Sequence, residues 1–195
     1  MKKLLVLLSM LPIMFAVNLK AQTQEEDPDL KYAVDMLKPG DAAPEFTLND
    51  IQGNPFSISS LTGRKVVLVF WASWCPDCRK EVPELKAMQA AADPSQVAFV
   101  SVSFDKSFEA FETYVKENYL GGVQLFDPAG KKESEVGAAY HVYWIPSLYL
   151  IDEEGKIILG TVVAEKIAKA LGLSQAGSNS GFSGCTEDSC EIKLD

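Results

Sequence analysis

The sequence predicts an α/β domain whose sheet is mostly parallel and carries an antiparallel edge. Two continuous apolar runs rich in β-branched residues, Lys65–Trp71 and residues 97–102, are typical of strands buried on both faces. A helical pattern lies between them, and strand–helix–strand order favours parallel pairing. Two later apolar segments, Ser147–Ile151 and residues 156–159, flank a turn at residues 152–155 and predict a hairpin.

The other elements follow from changes of period along the chain. Residues 49–55 predict a turn between two short strands, an N-terminal β extension. In residues 76–92 apolar side chains recur every three residues, which predicts an amphipathic helix that Pro83 should kink. Residues 123–126 predict another short strand. Further helices are predicted over residues 108–115, 133–140 and 163–171.

Length and composition limit the function classes. A chain of 195 residues suits one domain with appendages, and 47% apolar residues are enough to bury a core. The net charge is −9, and residues 1–21 contain only basic charges, so the remainder is more acidic still. Such a surface repels phosphate backbones, and no nucleic-acid partner is expected. One His and four Cys leave few options for metal chemistry, and the sequence predicts neither a metal nor a cofactor.

The start of the chain has the pattern of a signal peptide over residues 1–21. Lys2 and Lys3 precede an apolar run, residues 4–17, that is too short to span a bilayer comfortably. Export would place the protein in the periplasm or at the exterior of the cell envelope, where disulfides form and are exchanged. No stable membrane span is expected after cleavage. An uncleaved segment that anchors the protein is the alternative.

The rest of the chain divides into three parts. Residues 22–37 are polar and acidic at first and predict a loose lead-in, and residues 38–173 form the folded domain. Residues 174–195 predict a flexible tail because they begin with a stretch rich in Gly, Ser, Asn and Gln. The tail carries Cys185 and Cys190, which form either a local structural disulfide or a second redox pair.

A pair of cysteines follows the first buried strand, in Trp71-Ala-Ser-Trp-Cys-Pro-Asp-Cys. Cys75 is predicted at the helix N-terminus, where unpaired N–H groups and the helix dipole favour a thiolate. Cys78 lies one turn along, so one thiol can attack a substrate disulfide and the other can resolve the mixed disulfide. A structural disulfide would close too short a loop to stabilise much, and a zinc site needs ligands that occur only far along the chain, such as His141.

Several further motifs accompany this pair. They are Gly40-Asp-Ala-Ala-Pro-Glu-Phe-Thr-Leu, Gly53, Leu61-Thr-Gly, the run from Val66 to Cys78, Pro83 five residues beyond Cys78, and Ile145-Pro146-Ser147 before a strand. Together, over residues 38–171, they resemble the exported TlpA/ResA-like thiol–disulfide oxidoreductases of the thioredoxin superfamily. The opening stretch is also similar to the AhpC/TSA redoxins.

The resemblance implies a thioredoxin fold, with a central mixed β-sheet flanked by helices and an N-terminal β extension. It implies that Cys75 is the nucleophile, Cys78 the resolving thiol, and Pro146 a cis-proline beside them. A cis bond leaves the backbone of Ile145 free to pair with an extended substrate strand, and Trp74 is a further candidate substrate-binding residue. An ordinary trans proline at a strand start is the alternative.

One position departs from the thioredoxin pattern. Thioredoxin has a buried Asp six residues before the nucleophile, where this chain has Val69. Proton transfer at Cys78 must then involve water or another acid. Asp105 is a candidate, although a turn or N-cap role at the start of the next helix is the favoured interpretation.

The residues between the cysteines are candidates for tuning the redox couple. Asp77 should oppose a thiolate at Cys75, which predicts a more reducing couple. A favourable first-turn helix charge is a compatible interpretation of the same residue. Pro76 is the other tuning candidate.

Ring-bearing side chains precede the predicted cis-proline: Tyr140, His141, Tyr143 and Trp144. They either line a substrate groove with Trp74, or Tyr140 and Val142 pack in the core while the others cover the surface. His141 by itself does not indicate acid–base chemistry.

The function predicted from these observations is a thiol–disulfide oxidoreductase that reduces protein disulfides outside the cytoplasm. The expected partners are protein disulfide or dithiol substrates and an upstream redox partner, of the kind found in cytochrome c biogenesis. A thiol peroxidase is one alternative, but Leu68 and Ala72 stand where peroxiredoxins have Pro and Thr. A metal-binding or metal-delivery module is the other, and the chain lacks a Met- or His-rich ligand set for it.

Overall fold

A seven-stranded mixed sheet forms the centre of the structure, a computed structural model that describes residues 26–118 and 120–173. The strands are β1 Thr47–Asp50, β2 Pro55–Ser57, β3 Lys65–Trp71, β4 Val97–Ser103, β5 Val123–Phe126, β6 Ser147–Ile151 and β7 Ile157–Thr161. Their order across the sheet is β2-β1-β5-β4-β3-β6-β7. The central mixed sheet and the N-terminal β extension, formed by β1 and β2, are confirmed.

Of the six neighbouring strand pairs formed by the described residues, two are parallel, β3 with β4 and β4 with β5. The prediction of a mostly parallel sheet is therefore wrong. Both flanks of the sheet are hairpins, β1–β2 and β6–β7, and short turns join antiparallel strands only. The crossover helices predicted between β3, β4 and β5 account for the two parallel pairs.

In the part of the chain that the structure describes, six α-helices flank the sheet: α1 Asp29–Tyr32, α2 Pro76–Ala91, α3 Phe108–Asn118, α4 Gly130–Glu133, α5 Glu135–Ala139 and α6 Ala164–Ala170. The helix predicted over residues 133–140 is α5, which begins two residues later, at Glu135, because the extended Ser134 accepts a hydrogen bond from Gly137 N at 2.7 Å and caps it. The separate helix α4 precedes it. Within the described ranges, no helix combines the length and apolar character needed to cross a membrane.

The core lies around β3, whose Phe70 is fully buried. Its ring packs against Phe104, Tyr140 and Tyr149, with ring centroids 5.8, 5.3 and 6.4 Å away. Phe104 follows β4, Tyr140 follows α5, and Tyr149 lies in β6. Aromatic packing therefore holds together the strand that ends at the cysteine pair and the segments on either side of it.

The segment before the domain is packed rather than loose. Asp29 accepts hydrogen bonds from Thr161 Oγ1, Val162 N and Lys166 Nζ at 2.6–2.9 Å. Met36 is buried in the core. The expected loose lead-in over residues 22–37 is wrong for residues 29–36, because a charge far along the chain pairs with an Asp that the local pattern marks only as polar.

Candidate active site

The two cysteines lie where β3 passes into α2. Cys75 is the N-cap of α2, and its Sγ accepts a hydrogen bond from the backbone N–H of Cys78 at 3.1 Å. Pro76 occupies the first helical position, where its missing N–H costs no intrahelical bond. The predicted position of Cys75 at a helix N-terminus is confirmed, and an N–H directed at its sulfur stabilises negative charge there.

The two thiols differ in hydrogen bonding rather than in exposure, since Cys75 is 4% and Cys78 is 3% exposed. Both are free thiols. Burial, followed by the hydrogen bond to Cys75, raises the pKa of Cys78 well above its ordinary value. The sulfur of Cys75 thus receives a backbone N–H, whereas the surroundings of Cys78 oppose loss of its proton. This asymmetry suits an attacking Cys75 and a Cys78 that ionises later.

The Ile145–Pro146 peptide bond is cis, as the sequence predicts. Ile145 O lies 3.5 Å from Cys75 Sγ and accepts a hydrogen bond from that thiol. Ser147 Oγ donates to Trp144 O at 2.7 Å and holds the other side of the loop. The fold therefore brings together residues 70 positions apart and places the loop backbone against the attacking sulfur.

Asp77 is half-buried and pairs with Lys80, whose Nζ lies 2.8 Å from Asp77 Oδ1. Asp77 and Lys80 are three positions apart on a predicted helix, but the sequence analysis does not predict their ion pair. Since Lys80 partly neutralises Asp77, the effect of Asp77 on Cys75 is smaller than the effect that an isolated carboxylate would exert.

Asp105 does not cap the next helix; Ser107 Oγ does, accepting from Ala110 N at 3.3 Å. The favoured interpretation of Asp105 is therefore wrong. Its carboxylate is 1% exposed and accepts hydrogen bonds from Ser73 N, Ser73 Oγ and Ser103 Oγ at 2.7–3.2 Å. Asp105 consequently anchors the loop that carries Trp74 and Cys75, and its bonds are made to serines rather than to Cys78.

The aromatic side chains near the cis-proline divide into two groups. Tyr140 and Val142 are buried in the core. Trp74, Tyr143 and Trp144 are exposed, and Trp144 stacks on Tyr32 of α1 with centroids 4.2 Å apart. The interpretation of Tyr140 and Val142 as core residues is confirmed. Trp74 directly precedes Cys75 and Trp144 directly precedes Ile145, so both are candidates for contacting a substrate.

Glu81 belongs to the site, although the sequence analysis did not single it out. It lies one turn beyond Cys78 on α2, and both side chains line an apolar cavity together with Pro146. Burial raises the pKa of the Glu81 carboxyl, while the N–H of Ala164, which donates to Oε2 at 2.7 Å, opposes this shift. The available signal was the spacing of three from Cys78, which places both residues on one helix face.

Two other predicted features have simple outcomes. Val69 is buried and also lines the cavity, so an apolar side chain occupies the position six residues before the nucleophile, where thioredoxin has a buried Asp. Cys185 and Cys190 lie outside the described residues, as does the predicted signal peptide. Nowhere in the described ranges do three or more His, Cys, Asp or Glu side chains form a group that could hold a metal ion.

Known proteins resemble this chain in sequence and in fold. A model of the AhpC/TSA family matches residues 39–159. Sporulation thiol-disulfide oxidoreductase A of Bacillus subtilis (strain 168) is 31% identical over 128 residues, which cover 63% of this chain and 74% of that protein. Thiol-disulfide oxidoreductase ResA of the same organism is 30% identical over 148 residues, 74% and 80% of the two chains. The thioredoxin domain of a thiol-disulfide oxidoreductase from Bacteroides vulgatus matches with a TM-score of 0.64 at 27% identity, covering 70% and 96%.

Proposed function

The chain belongs to the AhpC/TSA family and is a thiol–disulfide oxidoreductase; from that premise we propose that it reduces protein disulfides in an extracytoplasmic compartment. The observation that carries the proposal is Cys75 Sγ, which accepts the Cys78 N–H at the start of α2 and lies 3.5 Å from Ile145 O. This arrangement suits nucleophilic attack on a disulfide held in extended conformation against the cis-proline loop. The signal-peptide pattern supports export.

The first chemical step forms a mixed disulfide. The Cys75 thiolate attacks one sulfur of the substrate disulfide, an S–S bond joins Cys75 to the substrate, and the other substrate sulfur leaves and takes a proton. Ile145 and Pro146 are proposed to hold the substrate backbone, and Trp74 to contact its side chains.

The second step releases the reduced substrate. Cys78 loses its proton and attacks Cys75 Sγ, so that the Cys75–Cys78 disulfide forms and the second substrate thiol leaves. Two electrons have then passed to the substrate, and a thiol donor, the upstream redox partner, must reduce the pair again. Glu81 is the proposed acceptor of the Cys78 proton, since a carboxylate with a raised pKa is suited to that exchange.

Reduction of insulin with a thiol donor present tests the proposal directly, because the released B chain precipitates. Activity that depends on both cysteines supports it. Failure to reduce insulin or any other protein disulfide would contradict it. Substrates of the cytochrome c biogenesis type stay a prediction from the resemblance.

Asp77 is proposed to make the couple more reducing. Asp77→Ala should stabilise the Cys75 thiolate and hence the reduced form, raising the potential by about 10 mV, a small shift because Lys80 already pairs with Asp77. Lys80→Ala is the matched control and should shift the potential in the opposite direction. Redox titration against glutathione buffers measures both. A more negative potential for Asp77→Ala would contradict the electrostatic argument.

The tail pair is proposed to exchange with the active site as an electron acceptor. Ala164 N donates a hydrogen bond to Glu81 Oε2, which joins the start of α6 to α2. Adding the rise of α2 from Cys75 to Glu81 and the rise from Ala164 to Leu173 limits the separation of Leu173 and Cys75 to roughly 35 Å. The residues from Leu173 to Cys185 can span at most about 40 Å, which makes contact possible. Cys75 would attack the Cys185–Cys190 disulfide, and Cys78 would then resolve the cross-link, leaving the tail reduced.

Cys78→Ser should therefore trap a disulfide between Cys75 and Cys185 or Cys190, and mass spectrometry of the protein after mild oxidation detects it. Truncation after Ser174 should remove the cross-link and leave insulin reduction intact. If no such cross-link forms, the tail pair is structural and the exchange is excluded.

A further inference from the structure

Two buried polar atoms have no hydrogen-bond partner among the described residues, Trp71 Nε1 and Gln124 Oε1. Both residues are only 5% exposed. An unsatisfied buried donor or acceptor costs about 1–3 kcal/mol, so each such atom in a folded protein calls for a partner. One of these atoms is a donor and the other an acceptor, which is the combination that a bound water molecule satisfies.

Both side chains line one cavity, which lies beside Cys78 and Glu81. The strand register explains this, because Val69 pairs with Ser101 and Ser101 pairs with Gln124. Trp71 is two residues beyond Val69 and therefore projects from the same face of the sheet. The face that would hold the buried Asp of thioredoxin instead carries an indole N–H and an amide.

The orientation of the Gln124 amide follows from its other hydrogen bond. Its Nε2 donates to Gly121 O at 2.6 Å, and because a carbonyl can only accept, the nitrogen must face Gly121. Oε1 is then the atom without a partner. The cavity has a volume of about 30 Å³, and one water needs roughly 10–15 Å³ by the same measure, so one or two waters fit.

We propose that this cavity holds one or two water molecules bound by Trp71 Nε1 and Gln124 Oε1, and that this water relays the proton between Cys78 and Glu81. The proposal rests on the proposed function, of which it specifies the resolution step. Cys78 gives its proton to the water as the water gives one to the Glu81 carboxylate. The Cys78 thiolate then forms the S–S bond to Cys75, and the substrate sulfur leaves with the electron pair of the broken bond. Gln124 and Trp71 are positioning residues in this scheme.

Other titratable groups lie near Cys78 or Glu81 or line the cavity. They are Cys75 at the start of α2, Asp77, Glu84 and Lys86 on α2, Tyr114 on α3 and Glu165 on α6. The replacement of one neutral side chain by another leaves all of these charges in place. A changed pH dependence in such a variant therefore reports on the water and not on a new charge.

Gln124→Met keeps the length of the side chain but removes both the Oε1 acceptor and the Nε2 donor to Gly121 O. It should slow resolution of the mixed disulfide at pH 7 about tenfold, and should shift the rising limb of the pH–rate profile upward by about one unit. Formation of the mixed disulfide should be unchanged. Acid-quenched single turnovers with a cyclic disulfide peptide, followed by mass spectrometry of the Cys75 adduct, separate the two steps. Gln96→Met, the same change at an exposed position, is the control and should behave like the wild type.

Trp71→Phe removes the donor together with one ring of the indole, and it should shift the same limb in the same direction. A crystal structure of the reduced protein should show water between Trp71 Nε1 and Gln124 Oε1, and that of Gln124→Met should lack it. A dry cavity in the wild type, or wild-type pH profiles in both variants, would overturn the inference. A wild-type protein that forms no Cys75 adduct would instead contradict the proposed function itself.

Discussion

Replacement of Cys75 by Ser should reduce insulin-disulfide reduction by at least about a thousandfold, because a serine hydroxyl does not ionise at neutral pH and cannot replace the thiolate nucleophile. The fold should be retained, since Ser is a good N-cap residue and can still accept the Cys78 N–H at the start of α2. The measurement is the rate of insulin precipitation with dithiothreitol as donor.

Cys78→Ser is the matched variant, and it should lose turnover for a different reason. Its Cys75 still attacks, so covalent adducts with the substrate should accumulate and be visible on non-reducing gels. A Cys75→Ser variant that turns over normally, or adducts formed through Cys78 in that variant, would show that the roles of the two thiols have been assigned wrongly.

Replacement of Asp105 by Ala should lower the free energy of unfolding by about 3 kcal/mol, because it leaves the donors of half-buried Ser73 and buried Ser103 without an acceptor. The same change releases the loop that carries Trp74 and Cys75, so activity should also fall. Urea unfolding of the reduced protein, with the slope compared between variants, measures the change in stability.

Asp93→Ala provides the control for this substitution. Asp93 also accepts hydrogen bonds from a nearby backbone N–H and hydroxyl, both of Ser95, but it does so on the surface. Its loss should therefore cost about 1 kcal/mol or less. Equal destabilisation by the two variants would mean that burial of the Asp105 network contributes nothing, contrary to the structure.

Much of the framework could be predicted because the signals are local. The β-branched run of β3 predicts a buried strand, and the change to helical spacing after Cys75 predicts α2. Ile145-Pro146 before an apolar strand, together with the family resemblance, predicts the cis bond that the structure contains. In each case the residues that determine the feature lie within a few positions of one another.

Errors arose where local and distant interactions compete. Asp105 precedes a helix and so fits an N-cap by pattern, but Ser73 on a neighbouring loop donates its backbone N–H and its hydroxyl to the same carboxylate. The local pattern places Asp29 in a loose segment, because its partners, Thr161 and Lys166, lie far along the chain. The directions of the strands at the two flanks of the sheet depend on distant pairing, because β1 pairs with β5 and β6 pairs with β3, both antiparallel.

The sequence by itself determined the chemistry of this protein: two thiols one helical turn apart, at the junction of a buried strand and a helix. Only the tertiary structure decided what surrounds those thiols. Ser73 and Asp105 are 32 positions apart, Glu81 and Ala164 are 83 apart, and Trp71 shares a cavity with Gln124 through three paired strands. These contacts depend on strand order and register, which collect side chains from distant segments on one face. A pattern of period two or 3.6 specifies which face a residue occupies, but not which residues share that face with it.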